Sequence, residues 1–458
     1  MRLFGTNGIR EVVGRELTAA FAVRVAGAIG AEFPVGRPIV VGRDGRTSSY
    51  AFARLVEGTL ILGGHRVADV GVLPTPAVQY LVPRLRAQLG VIVTASHNPP
   101  EFNGVKCIAA DGLEVLRSVE EGIERAVEAG TARSVPFSQI GSSYSVRDGA
   151  DQYVEGILGQ VDVDRIRRRA FTVVLDCGNG ASAVTSPSLL RRLGCRVISL
   201  NGQLDGTFPG HPSEPTEAHT RDAQRAVAGM NADLGIVHDG DADRAVFIDS
   251  AGRYIPGEEI LALLARDAVA RAHGGVVVTP VSASQSLEDA VRPLGGSVHY
   301  TRVGSPAVTR AMVEKHAVFG GEENGGAITP SFQFARDGAM TAAAVLDLIA
   351  RADRPLAELL AELPRYALIK ERIDCPVDLR ASVVGRVAAA YEAAGRRLVT
   401  IDGVKAFSDD GWVLLRPSGT EPLLRLFAEA RDPAAARRLA EEGRASVDAA
   451  LRALAAPP

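Results

Sequence analysis

Cysteine is scarce in this chain. The four cysteines, Cys107, Cys177, Cys195 and Cys375, are scattered through 458 residues and include no Cys-x-x-Cys pair. Their spacing excludes a zinc-ribbon type of site and a small disulfide-rich scaffold. It indicates free thiols in a reducing compartment.

Long apolar runs and a strong charge of one sign are also missing. No stretch of about 18 apolar residues is present, and the first residues lack the apolar core of a signal peptide. The 51 basic and 54 acidic residues give a formal net charge of −3, which offers little attraction to nucleic acid or to an acidic membrane. We therefore predict a soluble cytoplasmic protein that binds neither nucleic acid nor a membrane. We expect it to be a monomer or a homodimer.

A buried strand, a glycine-bearing turn and the start of a helix recur three times, in residues 38–47, 171–180 and 275–282. A Leu-Gly pair follows each predicted helix, which indicates a glycine in the left-handed conformation that ends the helix. Each repeat then closes with a strand and a polar loop. This pattern predicts three tandem related α/β domains, which we place at residues 1–150, 151–252 and 253–365.

The last section of the chain has a different pattern. It contains four predicted strands, at residues 367–373, 398–404, 412–416 and 423–428, and a final helix at 433–454. Val447, Leu451 and Leu454 share one face of that helix. Residues 366–458 are therefore predicted to form a C-terminal α+β domain.

The apolar run at residues 90–93 predicts a buried strand, and Ser96 and His97 follow it. Prolines just beyond Ser96 and His97 stop the strand, so we expect an exposed loop hydroxyl at a strand end, where α/β proteins keep their chemistry. Lys106, ten residues on, is a candidate general acid/base. The alternatives are a polar turn and an exposed lysine.

Three carboxylates follow a second apolar run. In an extended segment Asp239, Asp241 and Asp243 would point to one side, and three carboxylates favour Mg²⁺ over Zn²⁺. A calcium-binding EF-hand loop is excluded because its sixth and twelfth positions hold Arg244 and Ser250. A solvated acidic turn is the alternative, and Arg244 would balance charge or contact a phosphate.

Two further loops carry polar groups suited to a sugar phosphate. Glycines at residues 320–326 allow close approach of a ligand, and Glu322 and Asn324 can hydrogen-bond vicinal hydroxyls. Residues 416–422, Arg-Pro-Ser-Gly-Thr-Glu-Pro, combine a guanidinium fork with hydroxyls and a glycine backbone, as a phosphate site does. An ordinary surface turn and a hairpin turn are the respective alternatives.

These four loops, in this order, resemble those of the α-D-phosphohexomutase superfamily over the whole chain. The segment Phe-Gly-Thr-Asn-Gly-Ile-Arg at residues 4–10 and the 320–326 loop are most similar to the archaeal phosphoglucosamine mutase and phosphomannomutase branch. Asn324 and Gly326 stand where many bacterial members have Ser and His, which leaves the substrate open. The resemblance implies three related α/β domains and a fourth α+β domain around a central cleft.

The resemblance also implies an activity and a set of site residues. A phosphoserine would exchange a phosphoryl group with hexose 1-phosphate and 6-phosphate through a hexose 1,6-bisphosphate intermediate, which also acts as activator, with Mg²⁺ as cofactor. Glucosamine phosphate is the leading substrate, and mannose and glucose phosphates follow. A metal-dependent sugar phosphatase and a non-catalytic sugar-phosphate binder are the remaining alternatives. The implied roles are catalytic for Ser96, Lys106, His97 and Arg10; metal-binding for phosphorylated Ser96, Asp239, Asp241 and Asp243; and substrate-binding for Arg244, Gly304, Glu322, Asn324, Arg416, Ser418, Gly419, Thr420 and Arg425.

Overall fold

The residues that the structure describes form four β-sheets, each built from a successive stretch of the sequence. The computed structural model of the chain describes residues 3–5, 7–418 and 422–455. The chain divides into two compact units, Met1–Ile260 with Asn324–Ala361 and Leu261–Glu323 with Glu362–Pro458. In the described ranges no helix is both long and apolar enough to cross a membrane.

The first sheet has six strands in the order β1-β5-β4-β2-β3-β6. Strand β2 pairs in parallel with β3 and β4, whereas β5 runs antiparallel to β4 and β1. All residues of β4 are buried, as the apolar run predicts. The elements are β1 (Ile9–Val12), α1 (Ala19–Glu32), β2 (Ile39–Arg43), α2 (Ser49–Leu62), β3 (Val67–Val72), α3 (Thr75–Arg84), β4 (Leu89–Val93), β5 (Phe102–Ala109), α4 (Arg117–Ala129), β6 (Ser143–Ser145) and α5 (Gly149–Leu158).

The second sheet has the order β11-β10-β9-β7-β8 and belongs to the same compact unit. Strand β9 is parallel to β7 and antiparallel to β10, so the residues between β9 and β10 form a hairpin connection. The elements are α6 (Val163–Arg169), β7 (Thr172–Asp176), α7 (Ser186–Arg192), β8 (Arg196–Leu200), α8 (Arg221–Gly229), β9 (Leu234–His238), β10 (Ala245–Asp249) and β11 (Tyr254–Ile255).

The third stretch places β12 in parallel between β13 and β14, within the second compact unit. Helices α12 and α13 belong to the first unit, and Asp337 caps α12 by accepting from the Met340 amide. The elements are α9 (Gly257–Ala272), β12 (Gly275–Pro280), α10 (Gln285–Val291), β13 (Gly296–Thr301), α11 (Ser305–Glu314), β14 (Phe319–Glu322), β15 (Gly326–Ile328), α12 (Gly338–Ala352) and α13 (Leu356–Ala361).

The last stretch forms an antiparallel sheet of order β16-β20-β19-β18-β17. The predicted face of its final helix is confirmed, because Val447 is fully buried and Leu451 and Leu454 pack against the same core. The elements are β16 (Ala367–Asp374), α14 (Arg380–Ala393), β17 (Arg397–Val399), β18 (Val404–Phe407), β19 (Gly411–Pro417), β20 (Leu423–Ala430) and α15 (Pro433–Ala455).

The single strand predicted at residues 398–404 is wrong. The segment instead splits into β17 and β18, which pair antiparallel with Arg397 opposite Phe407. An Asp402-Gly403 turn separates them, and Gly403 has a φ of +87° that favours glycine. The Asp-Gly pair was the available hairpin signal.

The glycines that end the repeated helices follow the prediction at two of three positions. Gly194 and Gly295 take φ of +83° and +78°. After α2, however, Gly63 has a φ of −80° and the left-handed residue is Gly64, at +88°. The helix therefore ends one residue later than the predicted signal. The domain ends at residues 150, 252 and 365 stay predictions.

Candidate active site

Ser96 lies in the loop that connects β4 to β5, residues 94–101, which we call the serine loop. Its own φ is +53°, in the left-handed region, and its amide donates to Thr94 Oγ1 at 2.9 Å. The expectation of an exposed hydroxyl is wrong, since Ser96 has 0% exposure. The loop is covered by the β9–β10 connection, where a Cβ on Gly240 would lie 2.7 Å from the Ser96 carbonyl oxygen.

Asp239, Asp241 and Asp243 lie in that connection and converge. All three are buried, and one carboxylate oxygen from each lies within 4.8 Å of the others. The expectation of an extended segment is wrong, because the chain turns here: Ala242 has a φ of +55° and its amide donates to the Asp239 carbonyl at 3.1 Å. The turn, rather than the alternation of a strand, brings the carboxylates together.

The three carboxylates fit a hard divalent cation. Asp241 Oδ1 and Asp243 Oδ1 are buried and accept no hydrogen bond from the described part of the chain. Burial, together with the neighbouring Asp243 and Asp241, raises the pKa of Asp239 well above its ordinary value. A Mg²⁺ ion bound here would compensate the charge of these oxygens and lower the pKa of Asp239.

Lys106 compensates part of this charge. It lies on β5, opposite Ile92 of β4, and its Nζ donates to Asp241 Oδ2 at 2.8 Å. Burial alone would raise the pKa of Asp241, but Lys106 and Thr75 hold it below its ordinary value. The side chain of Lys106 is only 2% exposed, so the alternative of a surface lysine is wrong.

Two residues of the cluster were not identified from the sequence. Arg336 Nη2 donates to Asp243 Oδ2 at 2.5 Å, and Thr75 Oγ1 donates to Asp241 Oδ2 at 2.7 Å. Each residue stands beside the start of a helix, Thr75 at α3 and Arg336 just before the α12 cap. The available signal for Thr75 was its position at a helix start immediately after β3, the usual place for site residues in α/β folds.

His97 and Arg244 lie beside the serine. Arg244 Nη2 donates to His97 Nδ1 at 3.1 Å, and Ser96 Oγ lies 3.4 Å from the same nitrogen. Since a guanidinium only donates, this nitrogen of His97 is unprotonated and Nε2 carries the proton. Burial, Arg244 and Arg10 lower the pKa of His97 to about 2, so the ring is neutral at pH 7.

The first unit therefore contains all of the predicted catalytic and metal-binding residues. Ser96 Oγ donates to Asp239 Oδ2 at 3.3 Å, a hydrogen bond that joins the serine loop to the β9–β10 connection. Arg10, on β1, donates to Asn98 Oδ1 at 3.1 Å in the same serine loop, and burial lowers its pKa. Asn324 is exposed and belongs to this unit as well.

Two predicted sugar-binding residues, Gly304 and Glu322, belong to the second unit and contact each other. The Gly304 amide donates to Glu322 Oε1 at 3.1 Å, and Glu322 is buried. The prediction that Glu322 lies in a loop is wrong, because β14 continues through it. Gly304 has a φ of +123°, a conformation that favours glycine, so its backbone can present the amide to the carboxylate.

A row of arginines crosses the last sheet. Arg425 on β20 is opposite Arg372 on one side and Arg416 on the other. Directly opposed residues share a face, and like charges in that arrangement destabilise a sheet unless they find an anionic partner. Arg416 Nε donates to Asp402 Oδ2 at 2.7 Å. Arg372 and Asp402 were not predicted.

The tip of the predicted phosphate loop is partly described. The Ser418 amide donates to the Leu423 carbonyl at 3.0 Å, which closes the connection between β19 and β20. Gly419 and Thr420, both predicted to bind substrate, lie outside the described residues. Ser418, the third predicted residue of this loop, is buried.

Four family models match this chain in succession. They are the phosphoglucomutase/phosphomannomutase alpha/beta/alpha domain I at residues 1–134, domain II at 151–252, domain III at 256–366 and the C-terminal domain at 373–446. The matches follow the chain in the order of the four sheets.

Full-length relatives give the same result. The chain is 40% identical to a phosphoglucomutase/phosphomannomutase of Thermococcus kodakarensis, covering 98% of this chain and 99% of the relative. It is 41% identical to a probable phosphoglucosamine mutase of Methanopyrus kandleri, covering 96% of each. A solved phosphoglucomutase/phosphomannomutase family protein of Burkholderia thailandensis matches with a TM-score of 0.87 and 29% identity, over 97% of each chain.

Proposed function

This chain belongs to the phosphoglucomutase/phosphomannomutase family and is a phosphohexomutase; from that premise we propose that it interconverts hexose 1-phosphates and 6-phosphates through a phosphoserine at Ser96. The observation that carries the proposal is the 3.3 Å contact between Ser96 Oγ and Asp239 Oδ2. A buried hydroxyl is thereby aimed at a carboxylate cluster suited to a cation, where a phosphoryl group on the serine would be stabilised.

The chemistry consists of two phosphoryl transfers. In the first, a sugar hydroxyl oxygen bonds to phosphorus while the bond from phosphorus to Ser96 Oγ breaks, which yields a hexose 1,6-bisphosphate. In the second, Ser96 Oγ bonds to the phosphorus of the other phosphate while the bond from that phosphorus to the sugar oxygen breaks, which yields the isomeric hexose monophosphate. We assign to Lys106 the proton that leaves the attacking hydroxyl and returns to the departing oxygen, since its amine reaches the carboxylate cluster.

The remaining groups of the first unit stabilise charge. Bound Mg²⁺ would be held by Asp239, Asp241 and Asp243 with an oxygen of the Ser96 phosphate, and supplies positive charge for the transferring phosphoryl group. Arg10 and Arg244 flank the serine loop, Arg10 through Asn98. Arg244 also fixes the His97 ring, so that its Nε2 proton is available to a phosphate oxygen.

We assign to the second unit the recognition of the sugar and of the phosphate that is not reacting. The arginine row of β16, β20 and β19 supports this assignment, as guanidinium groups match phosphate oxygens. With Ser418, Gly419 and Thr420 the row would bind the 6-phosphate in one transfer and the 1-phosphate in the other. We assign the binding of sugar hydroxyls to Gly304 and Glu322 of this unit and to Asn324 of the first unit.

Glucosamine phosphate is our proposed substrate, and glucose and mannose phosphates are accepted less well. Relatives of nearly equal identity are named for glucosamine phosphate in one case and for glucose and mannose phosphates in the other. Glu322 and Asn324 offer groups that any hexose hydroxyl can engage. Relaxed specificity follows from such contacts.

We also propose that the enzyme acts in the cytoplasm. All four cysteines are free and buried, and the pKa of Cys107 and of Cys177 is raised to about 12 by burial. Free thiols of this kind are typical of a reducing compartment.

One assay separates the three function classes. Purified protein with Mg²⁺ and a trace of bisphosphate is incubated with glucosamine 1-phosphate, and glucosamine 6-phosphate and free phosphate are measured. A mutase gives the 6-phosphate without free phosphate. Release of phosphate alone would identify a phosphatase, and no product with binding retained would identify a binder.

A further inference from the structure

A buried arginine outside the assigned residues lies behind the Ser96 loop. Arg46 follows β2 in the segment Asp44-Gly45-Arg46, and it has only 2% exposure. A buried guanidinium needs partners for its five N–H donors, since each unsatisfied donor destabilises the fold. The partners of Arg46 indicate what it does.

All five donors of Arg46 are used, three of them on the serine loop and one on Phe102, the first residue of β5. Nη2 donates to the carbonyls of Ser96 and Asn98 at 2.7 and 2.6 Å. Nη1 donates to the carbonyls of Pro99 and Phe102 at 2.6 and 3.0 Å. One planar group thus fixes the directions of four carbonyls between Ser96 and Phe102.

The fifth donor joins this group to the other end of the loop. Arg46 Nε donates to Asp44 Oδ2 at 3.1 Å, and the same oxygen accepts from Thr94 Oγ1 at 2.7 Å. Thr94 Oγ1 in turn accepts the Ser96 amide. The ring of Phe208 lies 5.0 Å from the guanidinium carbon and covers its face.

The residue held in this way is the one with the unusual backbone. Ser96 has a φ of +53°, which a residue other than glycine adopts only when its surroundings enforce it. Its amide is bound through Thr94 and its carbonyl through Arg46. Both peptide groups of Ser96 are therefore oriented by the Asp44–Arg46 pair.

We infer that Arg46 is a positioning residue for phosphoryl transfer, which holds Ser96 in the left-handed conformation that directs Oγ at Asp239. The inference rests on the proposed role of Ser96 as phosphoserine. Lysine cannot replace arginine here, because an ammonium offers three donors from one point whereas the four carbonyls are bound from two separate nitrogens. Misdirection of a reacting atom by about 1 Å lowers a rate by roughly a hundredfold.

The test compares Arg46→Lys and Arg46→Met with Gln88→Met. Gln88 is buried just before β4 and donates to the carbonyls of Pro34 and Arg37, so its replacement is a structural control outside the site. For each protein we would measure the thermal midpoint, the phosphate content of Ser96 by mass spectrometry, kcat, KM and the single-turnover transfer rate.

Both Arg46 variants should lower kcat and the single-turnover rate by roughly a hundredfold, with KM within about threefold of wild type. Gln88→Met should lower the thermal midpoint, because it removes two buried hydrogen bonds, and should keep the wild-type kcat. The inference would be overturned if Arg46→Lys kept the wild-type kcat, or if the Arg46 variants lost no more of kcat than Gln88→Met does. If neither Arg46 variant folds, Thr94→Val tests the same network, and unchanged kcat there counts against it.

The wild-type protein separates this inference from the proposed function. If wild type carries its phosphate on a residue other than Ser96, the proposed function fails, and the positioning role fails with it. If Ser96 is phosphorylated in wild type and the Arg46 variants transfer at the wild-type rate, only the role of Arg46 is wrong.

Discussion

Lys106 Nζ and Asp241 Oδ2 lie 2.8 Å apart, in a pair whose side chains are 2% and 0% exposed. The amine and the carboxylate each belong to the proposed machinery, one as acid/base and the other as metal ligand. Because both are buried, neither can be removed alone without leaving an uncompensated charge. Stability and catalysis are therefore separable in a double variant.

Lys106→Met should abolish turnover and destabilise the fold by about 3 kcal/mol, since breaking a buried pair typically costs that much. Adding Asp241→Asn should recover most of the stability and none of the activity. Urea unfolding and the mutase assay check the two effects. Equal destabilisation of the single and double variants would show that the pair is not coupled.

Metal removal should abolish activity, and Mg²⁺ should restore it, because Asp239, Asp241 and Asp243 crowd three buried carboxylates together. Arg336→Met should strengthen Mg²⁺ binding roughly tenfold, as it removes a cation that lies on Asp243. Calorimetric titration of the chelator-treated proteins measures this directly. Full activity of a metal-free preparation contradicts the assignment, and weaker Mg²⁺ binding by the variant contradicts the role of Arg336.

Arg416→Ala should raise KM by roughly ten- to a hundredfold for the 1-phosphate and the 6-phosphate alike, since a charge-assisted contact contributes about 1.5–3 kcal/mol. Leakage of the bisphosphate should also rise. Arg444→Ala, which breaks an exposed pair with Glu371, is the control. An effect on one substrate only would mean that Arg416 does not bind the phosphate of both substrates.

Asp337 should make stability depend on pH. Burial raises its pKa to about 6, against the hydrogen bonds from the Met340 amide, Tyr153 and Gln333. The folded state therefore binds the proton more tightly than the unfolded state, which adds to the free energy of unfolding. This contribution is complete below pH 4 and is lost as the pH rises through about 6. It is worth up to about 3 kcal/mol.

Asp337→Asn should keep the helix cap and flatten this dependence. Unfolding at pH 4.5 and pH 7 measures the difference between the variant and wild type. An identical pH dependence in both proteins would place the pKa of Asp337 at its ordinary value.

The strands and the type of each domain follow from sequence because they depend on local pattern. The run at 90–93 lies within β4, and the last helix begins at Pro433 as predicted. Glu322 was misplaced because strand pairing extends through glycines that locally indicate a loop. The hairpin at Asp402-Gly403 was missed although its turn residues are a recognised signal.

The site was predictable where residues cluster in sequence and obscure where they do not. Asp239, Asp241 and Asp243 stand together in a short polar loop, whereas Arg336 and Thr75 reach them from 93 and 166 residues away. Such contacts depend on how the sheets and helices pack, which periodicity does not encode. The burial of Ser96 was missed for the same reason, because it results from the β9–β10 connection.

The most direct test of the central claim is a single turnover of the phosphorylated enzyme. Protein with a mapped phosphate on Ser96 is mixed with substoichiometric glucosamine 1-phosphate and quenched at short times. The account predicts that hexose 1,6-bisphosphate appears and the Ser96 phosphate disappears together, at least as fast as kcat, and that Ser96→Ala does neither. Bisphosphate formed more slowly than steady-state turnover, or a phosphate mapped to another residue, would contradict it.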